Sequence, residues 1–125
     1  MIWIGRGAGT IVFLFSLLLG AAALISPDRA ALQLGFAPLS DMGRNSLRAD
    51  IVALAWTSSI LCAGGLFSGR GHWFLAAATI FGIAVSGRIL DVVVSGAPDG
   101  VARPIIVELI LVACALIAAR LLPSK

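Results

Sequence analysis

The sequence predicts an all-α fold, a single-domain bundle of four transmembrane helices, and three observations carry that prediction. Apolar residues make up 60% of the 125 residues and charged residues only 12%. Typical soluble domains hold about 45–50% and about 25%, so a soluble chain of this size lacks the polar surface to cover its apolar matter. The apolar residues are gathered in four runs, each near the roughly 20 residues that a helix needs to cross a hydrocarbon core of about 30 Å. The runs show no two-residue alternation, which argues against a membrane barrel. With no water in lipid to satisfy the backbone, helices remain as the spanning form.

The first run, 9–26, reads "GTIVFLFSLLLGAAALIS". It is long for the apolar core of a signal peptide, so a retained helix is expected. Pro27 in "SPD" stops it. Residues 27–49 form the long connection, and within it the amphipathic piece "RAALQLGF" suits a segment lying along the membrane surface. The second run is 50–67, "DIVALAWTSSILCAGGLF", and "FSGRGH" makes a tight turn into the third, 73–94. "SGAPDG" closes the third run, and Pro104 suits the first turn of the fourth, 104–122. Cys62 and Cys114 fall in apolar runs without metal-ligand spacing and read as small apolar side chains, so neither a metal site nor a disulfide is expected.

Four helices place the N-terminus, the turn near Arg70 and the C-terminus on one side. That side carries Arg6, Arg70, Arg120 and Lys125 and no acid, whereas all six acids and five arginines fall opposite. Basic residues alone divide almost evenly, so the positive-inside rule speaks weakly. The acid-free side is taken as cytoplasmic, in a bacterial inner membrane. His72 and Trp73 then sit at the cytoplasmic interface, where amphipathic rings are common. The net charge of +3 comes without a lysine or arginine cluster, which excludes a nucleic-acid role.

Charges inside the runs are the chemistry-bearing feature. Arg48 and Asp50 head the second run, Arg88 and Asp91 lie late in the third, and Glu108 lies one turn inside the fourth. The topology brings all five to one depth, in the half of the bilayer away from the termini. An ionised side chain near the bilayer centre costs about 2.5–3.5 kcal/mol on insertion scales, so these groups are expected to face one another in a buried charged cluster. Arg88 and Asp91, at i and i+3, share a helix face and are placed to pair, whereas Arg48 and Asp50, at i and i+2, point to different sides. Trp56, Thr57, Ser58 and Gly87 are the expected lining of a pocket at this cluster. The competing reading is an ion-pair network that only fixes helix register, with Gly64, Gly65, Gly82, Ser86 and the alanines of the fourth run permitting close packing. A third reading has Arg48, Asp50 and Asp91 reaching out to the headgroups.

The order "LRAD" (47–50), "SGRILD" (86–91), the turn "GAPDG" (96–100) and "VEL" (107–109) resembles the bacterial domain-of-unknown-function family 4345, small four-helix membrane proteins loosely similar to DoxX-like proteins. The resemblance covers residues 16–122. It implies that Arg48, Asp50, Gly87, Arg88, Asp91 and Glu108 are signature polar positions, and it implies no activity.

The function expected is therefore that of an integral membrane protein binding a small or lipid-like ligand at Arg48, Asp50, Arg88, Asp91 and Glu108. The arginines would hold anionic or carbonyl groups and the acids would pair with them or move protons. An accessory subunit of a larger membrane complex, or a homo-oligomer, is the alternative. Acid–base catalysis on a lipophilic substrate and proton-coupled transport are weaker readings, since no GxSxG, HExxH, Walker or GxGxxG site stands in a suitable context and no broken helix or inverted repeat is evident. No cofactor is expected.

Overall fold

The structure is a computed structural model whose described residues are 1–123. It contains α1 (Ile2–Ile25), α2 (Pro27–Leu34), α3 (Asp41–Ser68), α4 (His72–Ser95) and α5 (Ala102–Leu121). Four of them, α1, α3, α4 and α5, are long and apolar enough to cross a membrane, and among the described residues there is no strand. The all-α bundle with four spanning helices is thus the observed fold, and it fits an integral membrane protein in a lipid bilayer.

Two helices begin well before their apolar runs. α1 starts at Ile2, before Arg6, because a long basic side chain at a helix end keeps its charge in water while its stem covers apolar surface. α3 starts at Asp41, nine residues before the apolar run at 50. Its first turns, "DMGRNSLR", are polar, but Ser40 supplies a cap: its hydroxyl accepts from the Gly43 N–H at 3.1 Å. Asp41 adds a negative charge in that first turn, where the helix dipole favours it.

The long helices form a ring in chain order. α1 packs on α3 and α5, and α4 packs on α3 and α5. The antiparallel register of α1 and α3 can be read from their contacts. The Ser59 hydroxyl donates to the Phe13 carbonyl at 3.5 Å, Ser16 and Ser58 share a buried hydrogen bond of 3.3 Å, and the Trp56 indole N–H donates to the Leu17 carbonyl at 3.4 Å. The Arg48 Nε–H donates to the Leu24 carbonyl at 3.2 Å. As the α1 number rises the α3 number falls in step.

Small residues on α1 make this approach possible. Its buried positions are Gly5, Ala8, Gly9, Val12, Ser16, Gly20 and Ala23, one stripe at helical spacing. Large side chains of the neighbours fill the hollows. The Trp56 indole lies where a side chain on Gly20 would be, and the Phe74 ring occupies the space over both Gly9 and Gly65. Phe74 is fully buried at the centre of a core that includes Val12, Cys62, Ala77, Leu111 and Ala115. A side chain on Gly64 would make ordinary contact with Trp73, whereas one on Gly82 would meet open space.

The α3–α4 turn at the terminal end is tight. Gly69 caps α3 in the left-handed conformation with φ 68°. Gly71 lies against the carbonyls of Ala119 and Leu122, and its N–H donates to the Pro123 carbonyl at 2.8 Å. A side chain on Gly5 would stand 2.9 Å from the Leu121 Cβ. The first turn of α1, the α3–α4 turn and the last turn of α5 therefore share one end of the bundle. Arg6, Arg70 and Arg120 lie at that end; Lys125, assigned to the same side above, is outside the described residues.

Candidate functional site

The opposite end is built around α2. Ser26 leaves helical geometry (φ −133°, ψ 67°), and Pro27, with its fixed φ, starts the new helix. Gly35, at φ 85°, ends it, with the Phe36 N–H donating back to the Ala31 carbonyl at 2.8 Å. Pro27, Ala30 and Ala31 are buried, and the two alanines pack with Ala23 and Leu47 into a second small core. The amphipathic piece expected along the membrane surface thus closes down on the bundle end as a roof. The Arg44 guanidinium holds α2 to α3. Its Nε–H donates to Asp28 Oδ1 at 3.0 Å, and a terminal N–H donates to Asp41 at 2.6 Å.

Beneath this roof lies a cavity of about 380 Å³ between α1, α2, α4 and α5. Its walls are mainly apolar, with Phe15, Leu18, Leu19, Phe81, Val107 and Leu111 facing it. Four polar side chains join them: Gln33 from the roof, Arg88 from α4, and Arg103 and Glu108 from α5. The volume lies within the ~300–1,000 Å³ of small-molecule sites, which combine apolar walls with a few convergent polar groups.

The central polar contact is Arg88 with Glu108. The Arg88 Nε–H donates to Glu108 Oε1 at 2.9 Å, and the side chains keep 31% and 14% of their exposure. Glu108 sits two helical turns into α5, deep enough to be shielded, whereas Arg88 reaches across from α4. The second carboxylate oxygen, Oε2, is buried with no hydrogen-bond partner. A buried acceptor left unpaired costs about 1–3 kcal/mol, more when charged, so Oε2 is a local debit that packing elsewhere must offset.

Of the five charges expected to converge, the structure joins Arg88 and Glu108. The other three lie apart from them, and no buried cluster of five is present. Asp91 is exposed and accepts from the Ser95 hydroxyl at 3.1 Å, pairing one turn on rather than with Arg88. Arg48 is exposed and is spent on the Leu24 carbonyl. Asp50 is exposed beside a second, smaller hollow bordered by Phe36, Leu39 and Leu47. The i, i+3 spacing put Arg88 and Asp91 on neighbouring faces, but α5 brings a carboxylate closer to Arg88 than its own helix does.

The expected lining residues lie away from this cavity. Trp56 packs over Gly20, Ser58 is buried against Ser16, Thr57 is exposed, and Gly87 is exposed with open space around it. Trp56 and Ser58 thus serve the α1–α3 seam. Sequence reading did not single out Arg103, Gln33, Phe15 or Leu19. A signal for Arg103 was present, since it stands beside Pro104 in the first turn of α5, between one and two helical turns from Glu108. Gln33 was legible only once α2 was seen to fold over the bundle. Comparison with known proteins yields no matching family model, curated protein or solved structure.

Proposed function

We propose that this chain is a small membrane protein that binds a small or lipid-like ligand in the cavity beneath α2. The observation that carries this reading is the combination in one hollow: apolar walls from α1 and α5, a paired Arg88 and Glu108, and a further cation, Arg103, at the rim. An ion pair that only fixed helix register would be expected to close tightly upon itself. This one borders an open volume and leaves a carboxylate oxygen unpartnered. Intramembrane ionisable residues are functional candidates on energetic grounds, because their insertion must be offset by something.

We further read the chain as a member of family 4345, supported by "LRAD", "SGRILD", "GAPDG" and "VEL" in order. Its setting is a bacterial inner membrane with cytoplasmic termini. Supporting that orientation is the acid-free end holding Arg6, Arg70 and Arg120.

The test is purification from native membrane followed by native mass spectrometry of three proteins: wild type, Arg88→Ala, and Ala22→Trp. Ala22 lines the cavity and is not a member of the ion pair, so tryptophan there narrows the hollow while keeping both charged partners. A small bound mass in the wild type, lost in Ala22→Trp, is the expected result. A stoichiometric protein partner and no small mass in any of the three would replace the ligand reading with that of an accessory subunit.

A further inference from the structure

The charge balance of the cavity selects among ligands. Two arginines and one glutamate border it, so the hollow carries a surplus of one positive charge. Glu108 is already engaged through Oε1. Arg88 spends only its Nε–H on that contact, and among the described residues its terminal nitrogens have no hydrogen-bond partner. A guanidinium offers five donors in a fixed fork, so most of the Arg88 fork remains free. Arg103 is exposed at the rim and, among the described residues, makes no ion pair. It stands in the first turn of α5, where the helix dipole adds to the positive potential. Below the rim the walls are hydrocarbon: Phe15, Leu18, Leu19 and Leu111.

Size narrows the choice further. At about 30 Å³ for each water-sized group, a cavity of about 380 Å³ holds about a dozen such groups. One alkyl chain of moderate length and a small head fit that space.

We infer that the cavity takes a single-chain amphiphile with an anionic head, a carboxylate or a phosphate monoester. The head sits against Arg103 and the free edge of Arg88, and the chain lies among Phe15, Leu18, Leu19 and Leu111. This rests on the ligand-binding reading above and adds the class of ligand. A cationic head is opposed by the surplus charge. A neutral head forgoes the charge-assisted hydrogen bonds that the Arg103 guanidinium and the free terminal N–H groups of Arg88 supply.

The experiment uses the full chain in nanodiscs of zwitterionic lipid and four photo-crosslinking probes with one dodecyl chain each: a carboxylate, a phosphate monoester, an alcohol and a trimethylammonium. Labelled peptides are mapped by mass spectrometry in wild type and Arg103→Gln, an exposed position at which folding is not at stake. The expected result is labelling of the segments bearing Leu18 and Leu111 by the carboxylate, the phosphate or both, about tenfold above the alcohol, as hydrogen bonds to charged groups imply. Arg103→Gln brings the anionic probes down toward the alcohol and leaves the alcohol unchanged. Labelling of these segments by the alcohol or ammonium at or above the level of both anions overturns the headgroup assignment while sparing the cavity as a binding site. Absence of labelling at these segments by all four probes overturns both. Carboxylate without phosphate, or the reverse, supports the inference and identifies the head.

Discussion

Substituting Arg88 by alanine leaves the Glu108 carboxylate shielded with neither oxygen paired. Breaking a buried pair from one side costs about 3–5 kcal/mol, and the partial exposure of Arg88 lowers that, so Arg88→Ala is expected to cost about 2–4 kcal/mol. Replacing both residues by leucine removes the stranded charge as well as the bond, and that double variant is expected to recover most of the loss. Reversible unfolding of the two variants in mixed detergent micelles checks both values. Equal losses in the single and double variants would mean that the pair contributes nothing beyond packing. On the α1–α3 seam, Ser16→Ala removes the hydrogen bond to Ser58. Polar contacts between membrane helices average about 0.6 kcal/mol, so the same assay is expected to register a small loss there.

At the scale of elements, glycine separates the tight contacts from the loose ones. A methyl group on Gly71 meets backbone carbonyls of α5, which no side-chain rotation can move aside. Overpacking of this kind costs about 1–3 kcal/mol, and Gly71→Ala is expected at the upper end of that range. Gly82→Ala meets open space and is expected to be neutral or slightly stabilising, since alanine is the better helix former by about 1 kcal/mol. Thermal denaturation of the two variants side by side decides the matter; a larger loss at Gly82 would mean that its outer face is covered in the membrane. The same contrast shows what sequence could reveal. The spans were legible because length and apolarity alone define them. Gly82 was grouped with Gly65 as a packing residue because both are small, but the direction each faces depends on which helices neighbour it. The α1 stripe from Gly5 through Gly20 did carry a visible signal, the four-residue spacing of Gly5 and Gly9 and of Ser16 and Gly20. The polar start of α3 escaped an apolarity count because it stands beyond the hydrocarbon.

For the whole molecule, chain order and ring order coincide, which fixes the ends of α1 and α5 side by side. Cysteines at Gly5 and Leu121 would bring their Cβ atoms to 2.9 Å, closer than the roughly 3.5–4.5 Å of a relaxed disulfide, so a small parting of the two helix ends lets the link form. Mild oxidation is expected to close that link in the membrane, whereas cysteines at Gly5 and Ser95, at opposite ends of the bundle, are expected to stay open. Gel mobility before and after reduction reads the result, and the opposite pattern would refute the antiparallel ring. Height along the bundle was legible in the sequence for one pair: Arg88 and Glu108, expected at one level, are close enough to form an ion pair. Azimuth was the part it lacked. A helix carries its charges to a predictable height, but which neighbour each one meets depends on rotation about the helix axis and on where α2 folds over. Arg48 shows the difference, being turned to the Leu24 carbonyl.

The bond from the Gly71 N–H to the Pro123 carbonyl has a bearing on how the protein is made. Helices enter a membrane in the order of their synthesis, so α1, α3 and α4 are in place while α5 is still being delivered. Until it arrives, the turn between α3 and α4 lacks its partner and α1 lacks the wall formed by Leu121 and Leu122. The last helix therefore acts as the keystone of assembly. Surveillance proteases that sample unfinished membrane proteins would meet an open three-helix intermediate first, and their access would end when the last turn of α5 docks.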